Sequence, residues 1–158
     1  MKRFICAILV LCLIPSLAFG MPTVEQMLAS LNGSVPIDLE SFNDYAAVFG
    51  VSEISMDSGV DEEGCWMFEA DGVALGFFHE AENVTSVVVE GDGIPFLMYC
   101  MAAILSGNAE YLERDAGYFF SMYLLTRANG KEHYNKTTLM RTMYLAPSEK
   151  GYRFIILR

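Results

Sequence analysis

Between Phe4 and Glu113 the chain contains no lysine and no arginine, yet that stretch holds 17 of its 20 carboxylates. Phosphate backbones are held by arrays of Lys and Arg, so a nucleic-acid partner is excluded over that stretch. Histidine is nearly absent as well, with two in 158 residues, and there is one tryptophan. No Gly-x-Ser-x-Gly, His-Glu-x-x-His or Cys-x-x-Cys pattern occurs, nor a phosphate-cradling glycine loop followed by lysine. These absences remove the familiar hydrolase, zinc-peptidase, dithiol and nucleotide-binding signatures, and no cofactor is expected. Also missing is any second apolar run long enough to cross a bilayer. Ile94 to Leu105 has twelve residues, against the ~20 that a helical span needs.

What is present begins at the N-terminus. Met1-Lys2-Arg3 is followed by eleven apolar residues, Phe4 to Ile14, then Pro15 and the small-residue run Ser16 to Gly20. Basic, apolar and small segments in that order read as a secretory signal peptide. Residues 1–20 are therefore expected to be removed, leaving residues 21–158 as one domain in a secreted or periplasmic setting. Removal takes away Lys2 and Arg3 and carries the net charge from −10 to −12. The eight remaining cations all follow Glu113, so the charge is segregated along the chain. Either the two halves compensate one another across the surface, or the molecule is dipolar.

The elements predict an α+β fold with a mainly antiparallel sheet: a central meander and a C-terminal hairpin, packed with two short N-terminal helices and two central helices. Thr23 and Gln26 form a capping box ahead of an apolar face made by Val24, Met27, Leu28 and Leu31. Asp38 caps a second helix, with Leu39, Phe42, Ala46 and Phe49 at helical spacing, until Gly50 ends it. Ser52 to Asp57 is read as a short strand. Asp71-Gly72 between two apolar runs is a two-residue hairpin signal. It pairs Ala70 with Val73, Phe68 with Leu75 and Trp66 with Phe77, placing these six on one face. The next strand covers Asn83 to Glu90. Asp92 and Pro95 open one central helix, and Asn108 caps another running to Ala128. The closing hairpin is read as one strand from Glu132 to Leu145, a turn over Pro147 to Gly151, and a last strand from Tyr152.

Candidate chemistry is sparse. His79 and His133 are the candidate catalytic residues, because imidazole is the side chain best suited to proton transfer at neutral pH. Asp57, Asp61, Glu62 and Glu63 form the densest acidic cluster, the candidate site for a hard cation such as Ca²⁺. Their spacing departs from an EF-hand loop at Gly59, so they read as a solvated connection and no bound metal is expected. Cys65 and Cys100 form an even pair, the candidate disulfide in an oxidising compartment. Strand parity opposes it, since Cys65 points away from the Trp66 face. Nine methionines beyond Met1 read as adaptable core filler rather than a copper site.

Two functions remain open from sequence. The first is a non-catalytic binding or interaction module for a protein or small-molecule ligand. Its support is the missing catalytic signature and the aromatics Trp66, Phe77, Phe78, Tyr118, Tyr134 and Tyr144. The second is a small exported hydrolase or metal-dependent enzyme using His79 or His133. Once the signal peptide is gone no membrane span is expected. Intact-mass analysis of exported protein is expected to show loss of roughly the first 18 to 20 residues; retention of Met1-Lys2-Arg3 would refute the signal-peptide reading.

Overall fold

A computed structural model of the chain describes residues 39–55, 59–62, 64–80, 83–106, 112–138 and 141–157. Helix α1 spans Leu39–Phe49 and stops at Gly50, whose φ of 75° suits a residue without a Cβ. Four strands follow: β1 (Val60–Glu62), β2 (Cys65–Ala70), β3 (Val73–Glu80) and β4 (Asn83–Gly91). Helix α2 (Gly93–Leu105) is capped by the Asp92 carboxylate, which accepts from the Gly93 N–H at 2.7 Å. Helix α3 runs over Leu112–Asn129, and β5 (His133–Lys136), β6 (Thr142–Ser148) and β7 (Gly151–Leu157) complete the chain.

The seven strands form one antiparallel sheet in the order β1-β2-β3-β4-β7-β6-β5. The chain walks inward from one edge to β4, crosses to the opposite edge through α2 and α3, and walks inward again to β7. All three helices cover one face. Phe42 of α1 meets Phe77 of β3 edge-on at 5.1 Å, while Phe119 of α3 meets Phe154 of β7 at 5.2 Å. Helix α2 lies between them, with Phe96, Tyr99, Cys100, Ala102 and Ala103 fully buried. The sheet supplies Leu75, Phe77, Val87, Val89, Met143, Leu145, Phe154 and Ile156 to this single core.

The register of β2 with β3 follows from the turn chemistry. Asp71 and Gly72 have φ of 53° and 75°, the two positive values of a type I′ turn. Trp66–Phe77, Phe68–Leu75 and Ala70–Val73 pair as the sequence predicts. In β4, Val84, Val87 and Val89 are all buried although Val84 and Val87 are three apart. Strict alternation forbids that, and the register shift beside Phe78/His79 supplies the extra residue.

Several expectations are corrected. Three helices, not four, occur among the described residues; the helix expected from Thr23 lies outside them. The expected meander and hairpin do form one antiparallel sheet, joined where β4 pairs with β7. The single strand expected from Glu132 to Leu145 is two strands, because the chain leaves the sheet after Lys136 and re-enters at Thr142 to pair back on β5. Ser52–Ser55 form no strand. The first strand lies instead at Val60–Glu62 and pairs back onto β2.

The hairpin turn also ties two other elements together. The Asp71 carboxylate accepts from the Ser52 N–H at 2.7 Å, from the Ser52 hydroxyl at 3.1 Å and from the Tyr99 hydroxyl at 2.7 Å. One exposed side chain thus joins the segment after α1, the β2–β3 turn and α2. These donors, the Ser52 N–H foremost, hold the Asp71 carboxyl below its ordinary 3.8. A carboxylate depressed in the folded state stabilises the fold in full above its unfolded value, and loses that effect as the pH falls below it. The melting-temperature gap between wild type and Asp71→Asn is therefore expected to be constant above pH 3.8 and to shrink below it; a gap indifferent to pH would refute the charged latch. Independently, Gly72→Val places a β-branched residue at positive φ. It is expected to cost on the order of 1–2 kcal/mol and to shift the emission of Trp66, four pairs along the ladder from Ala70–Val73. Unchanged melting and emission would show that the turn does not govern the register.

Candidate functional site

The sequence candidates do not converge. His79 follows the β3 irregularity, with its N–H donated to the Gly64 carbonyl at 3.0 Å. Its ring stacks on Trp66, with centroids 3.8 Å apart and planes 14° from parallel. His133 opens the edge strand β5, four strand intervals away. At ~4.8 Å per interval the two lie about 19 Å apart, too far to share a substrate atom. The carbonyl oxygen of Asn129 accepts from the Lys131 N–H at 2.8 Å, which turns the amide nitrogen of Asn129 toward His133 Nε2 at 3.2 Å. The Asn129 side-chain oxygen lies 3.4 Å from the same ring nitrogen, and the imidazole is held as part of the α3–β5 connection.

Of the acidic candidates, Asp57 and Glu63 lie outside the described residues. Asp61 and Glu62 are not in a loop: they belong to β1, in register with Trp66 and Cys65. Among the described residues no three His, Cys, Asp or Glu side chains gather as a metal would require. Cys65 and Cys100 are both buried free thiols. Cys100 belongs to the core between sheet and helices, whereas Cys65 pairs with Phe78 on the other face, so the sheet stands between the two sulfurs. Burial pushes the Cys100 thiol well above its ordinary range, which makes it a small core hydrophobe rather than a nucleophile.

A polar cluster that the sequence did not announce lies where α2, α3 and the β5–β6 connection meet. Arg141 is 1% exposed and donates from Nη1 to the Ser106 carbonyl at the end of α2, at 2.8 Å. Asp115 is also buried and accepts from the Thr138 N–H and hydroxyl at 2.8 and 2.7 Å. Burial lowers Arg141 to about 10 against the opposing pull of Asp115, so it stays charged at neutral pH. A buried cation placed at a helix C-terminus, under the field of a buried carboxylate, is a structural anchor rather than a reactive group.

The helix-free face of the sheet is different in character. Met67 and Phe78 are exposed there at 42% and 43%. Further along, a groove of about 780 Å³ runs over β6 and β7 beneath the α3–β5 connection, lined by Gly130, Lys131, Glu132, Tyr144, Ala146, Pro147, Arg153 and Ile155. Its floor follows from the period of two: Tyr144 opposes Ile155 and Ala146 opposes Arg153, placing all four on one face. Tyr144 donates to the Glu132 carboxylate, and burial together with that acceptor raises its hydroxyl to about 12. Arg153 spends one Nη2 bond on Glu90 at 3.1 Å and remains half exposed, leaving other guanidinium donors for a ligand. Sequence reasoning named Tyr144 only as one aromatic among several. The alternation of Tyr144 with Ala146 and of Arg153 with Ile155 carries the signal, but it becomes readable only once the Ser148–Gly151 turn fixes which residues face each other.

The topology also settles how charge is arranged. Residues 39–106, which build α1, β1–β4 and α2, contain thirteen carboxylates and no Lys or Arg. Residues 112–158, which build α3 and β5–β7, contain eight cations and four carboxylates. The β4–β7 seam is the border, crossed on the helix-free face by Glu90–Arg153.

No helix among the described residues is long and apolar enough to cross a membrane. Comparison with family models, with curated proteins and with solved structures finds no match for this chain.

Proposed function

We propose that this protein is an exported, non-catalytic binding module whose ligand seats on the helix-free face of the sheet, in the groove over β6 and β7. The observation that carries this reading is the groove itself: an apolar floor of Ala146 and Ile155 beside a tyrosine, with Pro147 at its margin, under a rim bearing Lys131, Arg153 and Glu132. A volume of about 780 Å³ matches a small organic ligand, and such sites pair an apolar bed with a few fixed polar groups. The mixed rim suits a compound with a flat apolar body and polar ends. The alternative, a hydrolase or metal-dependent enzyme using His79 or His133, has less support: the His79 ring is stacked on Trp66, and the Asn129 amide lies against His133 Nε2.

Nuclear magnetic resonance titration with a panel of aromatic carboxylates, amines and alcohols tests this. The amide signals of Tyr144, Ala146, Arg153 and Ile155 are expected to move together, and Tyr144→Ser to weaken the best binder by about fivefold or more. Shifts confined to the helical face, or a panel that leaves the β6–β7 amides still, would refute the assignment.

A further inference from the structure

The charged groups around the β6–β7 groove are not equally occupied. Of its acids, Glu132 accepts from the Tyr144 hydroxyl, so that carboxylate already holds a donor from the groove's own floor. Glu90, which borders the groove from β4, accepts from Arg153 and is only 19% exposed. The cations are freer. Arg153 is 51% exposed and commits one Nη2 bond to Glu90, out of the five N–H donors that a guanidinium carries. The Lys131 side chain is exposed on the same rim and takes no ion pair among the described residues. Glu149 and Lys150, on the adjoining turn, set one charge of each sign beside the other. What the groove has to spare is therefore donors and positive charge.

We propose that the ligand of this groove is a flat aromatic carboxylate, with its ring over Ile155 and Ala146 against Tyr144 and its anion on the fork of Arg153; this rests on the binding-module reading above. The strand register supports the spacing. Tyr144 opposes Ile155 and Ala146 opposes Arg153, so the aromatic platform and the cation stand two residues apart, about 7 Å along the strands. An acid of one or two rings spans that distance. A guanidinium can give a carboxylate two parallel N–H···O bonds, and such charge-assisted bonds are about twice as strong as neutral ones. Tyr144 has a second part here, because by holding Glu132 it occupies the carboxylate that would otherwise compete for Arg153. A cationic ligand is disfavoured: it would stand beside Arg153 and Lys131, and both nearby carboxylates already have protein donors. The surrounding half of the chain, residues 112–158, carries eight cations against four carboxylates, so the wider field also favours an anion.

Titration calorimetry, with amide chemical shifts to locate the site, tests this with three probes of one shape: naphthoate, naphthamide and naphthylmethylammonium. Naphthoate is expected to bind about tenfold or more tighter than the other two at about 10 mM salt, and to lose most of that advantage at about 0.5 M. Arg153→Gln is expected to bring naphthoate down to the affinity of naphthamide while leaving naphthamide itself unchanged. Glu90→Gln, which keeps the whole guanidinium and releases it from its ion pair, is expected to tighten naphthoate severalfold, and it reads the same fork should Arg153→Gln disturb folding. Equal affinity of the three probes for the groove, a preference for the ammonium, a naphthoate advantage that survives Arg153→Gln, or a Glu90→Gln variant that binds naphthoate no better would each overturn the carboxylate assignment and leave the groove standing. If no probe moves the amides of Tyr144, Ala146, Arg153 and Ile155, the groove itself is not the binding site and the carboxylate assignment falls with it.

Discussion

Everything in this fold depends on the pairing of β4 with β7. Each half of the chain can build part of a sheet by itself, through β1–β4 and β5–β7, but neither has a face broad enough to hold all three helices. The seam from Ser86–Leu157 to Gly91–Tyr152 joins them. Its inward pairs, Val87–Ile156 and Val89–Phe154, are wholly buried beneath α2. At its end Gly151 must stay small, because a Cβ there would stand 2.7 Å from the Gly91 carbonyl. The pairing is also distant in sequence: Glu90 and Arg153 are 63 residues apart. Its entropy of closure must be met before either half gains from the other.

Local chemistry was readable in the sequence and long-range neighbours were not. The Asp71-Gly72 turn fixed three cross-strand pairs because a type I′ turn leaves no freedom of register. Asp92 and Gly50 marked helix ends through the capping needs of backbone N–H and C=O groups. The parity that set Cys65 against Cys100 held for the same reason, since a period of two admits only two faces. The break between Lys136 and Thr142 was invisible because a β-like pattern runs through it, while the groups that hold the connection, Asp115 on Thr138 and Arg141 on Ser106, come from distant elements. The seam and the groove were invisible because alternation states which residues share a face but never which strand comes next.

The two ends of the molecule are held by different physics. At the α1 end, an exposed carboxylate gathers three segments through donors that water can also reach, so that junction responds to acid. At the α3 end, Arg141 and Asp115 sit out of water, where neither can lose its partner cheaply. Between them the helical layer is continuous aromatic and aliphatic packing, and the face that could meet another molecule is left without a cover among the described residues. Rigidity on one side and exposure on the other is the usual division between scaffold and binding surface.

The position of β7 has a bearing on how the molecule comes into being. It follows every other described element along the chain, yet it occupies the middle of the sheet. A chain that emerges N-terminus first, from a ribosome or from a translocation channel, exposes the inner edge of β4 until its final strand arrives. The bed on which all three helices rest is thus completed only by the last described strand, so the hydrophobic layer closes in one step rather than strand by strand.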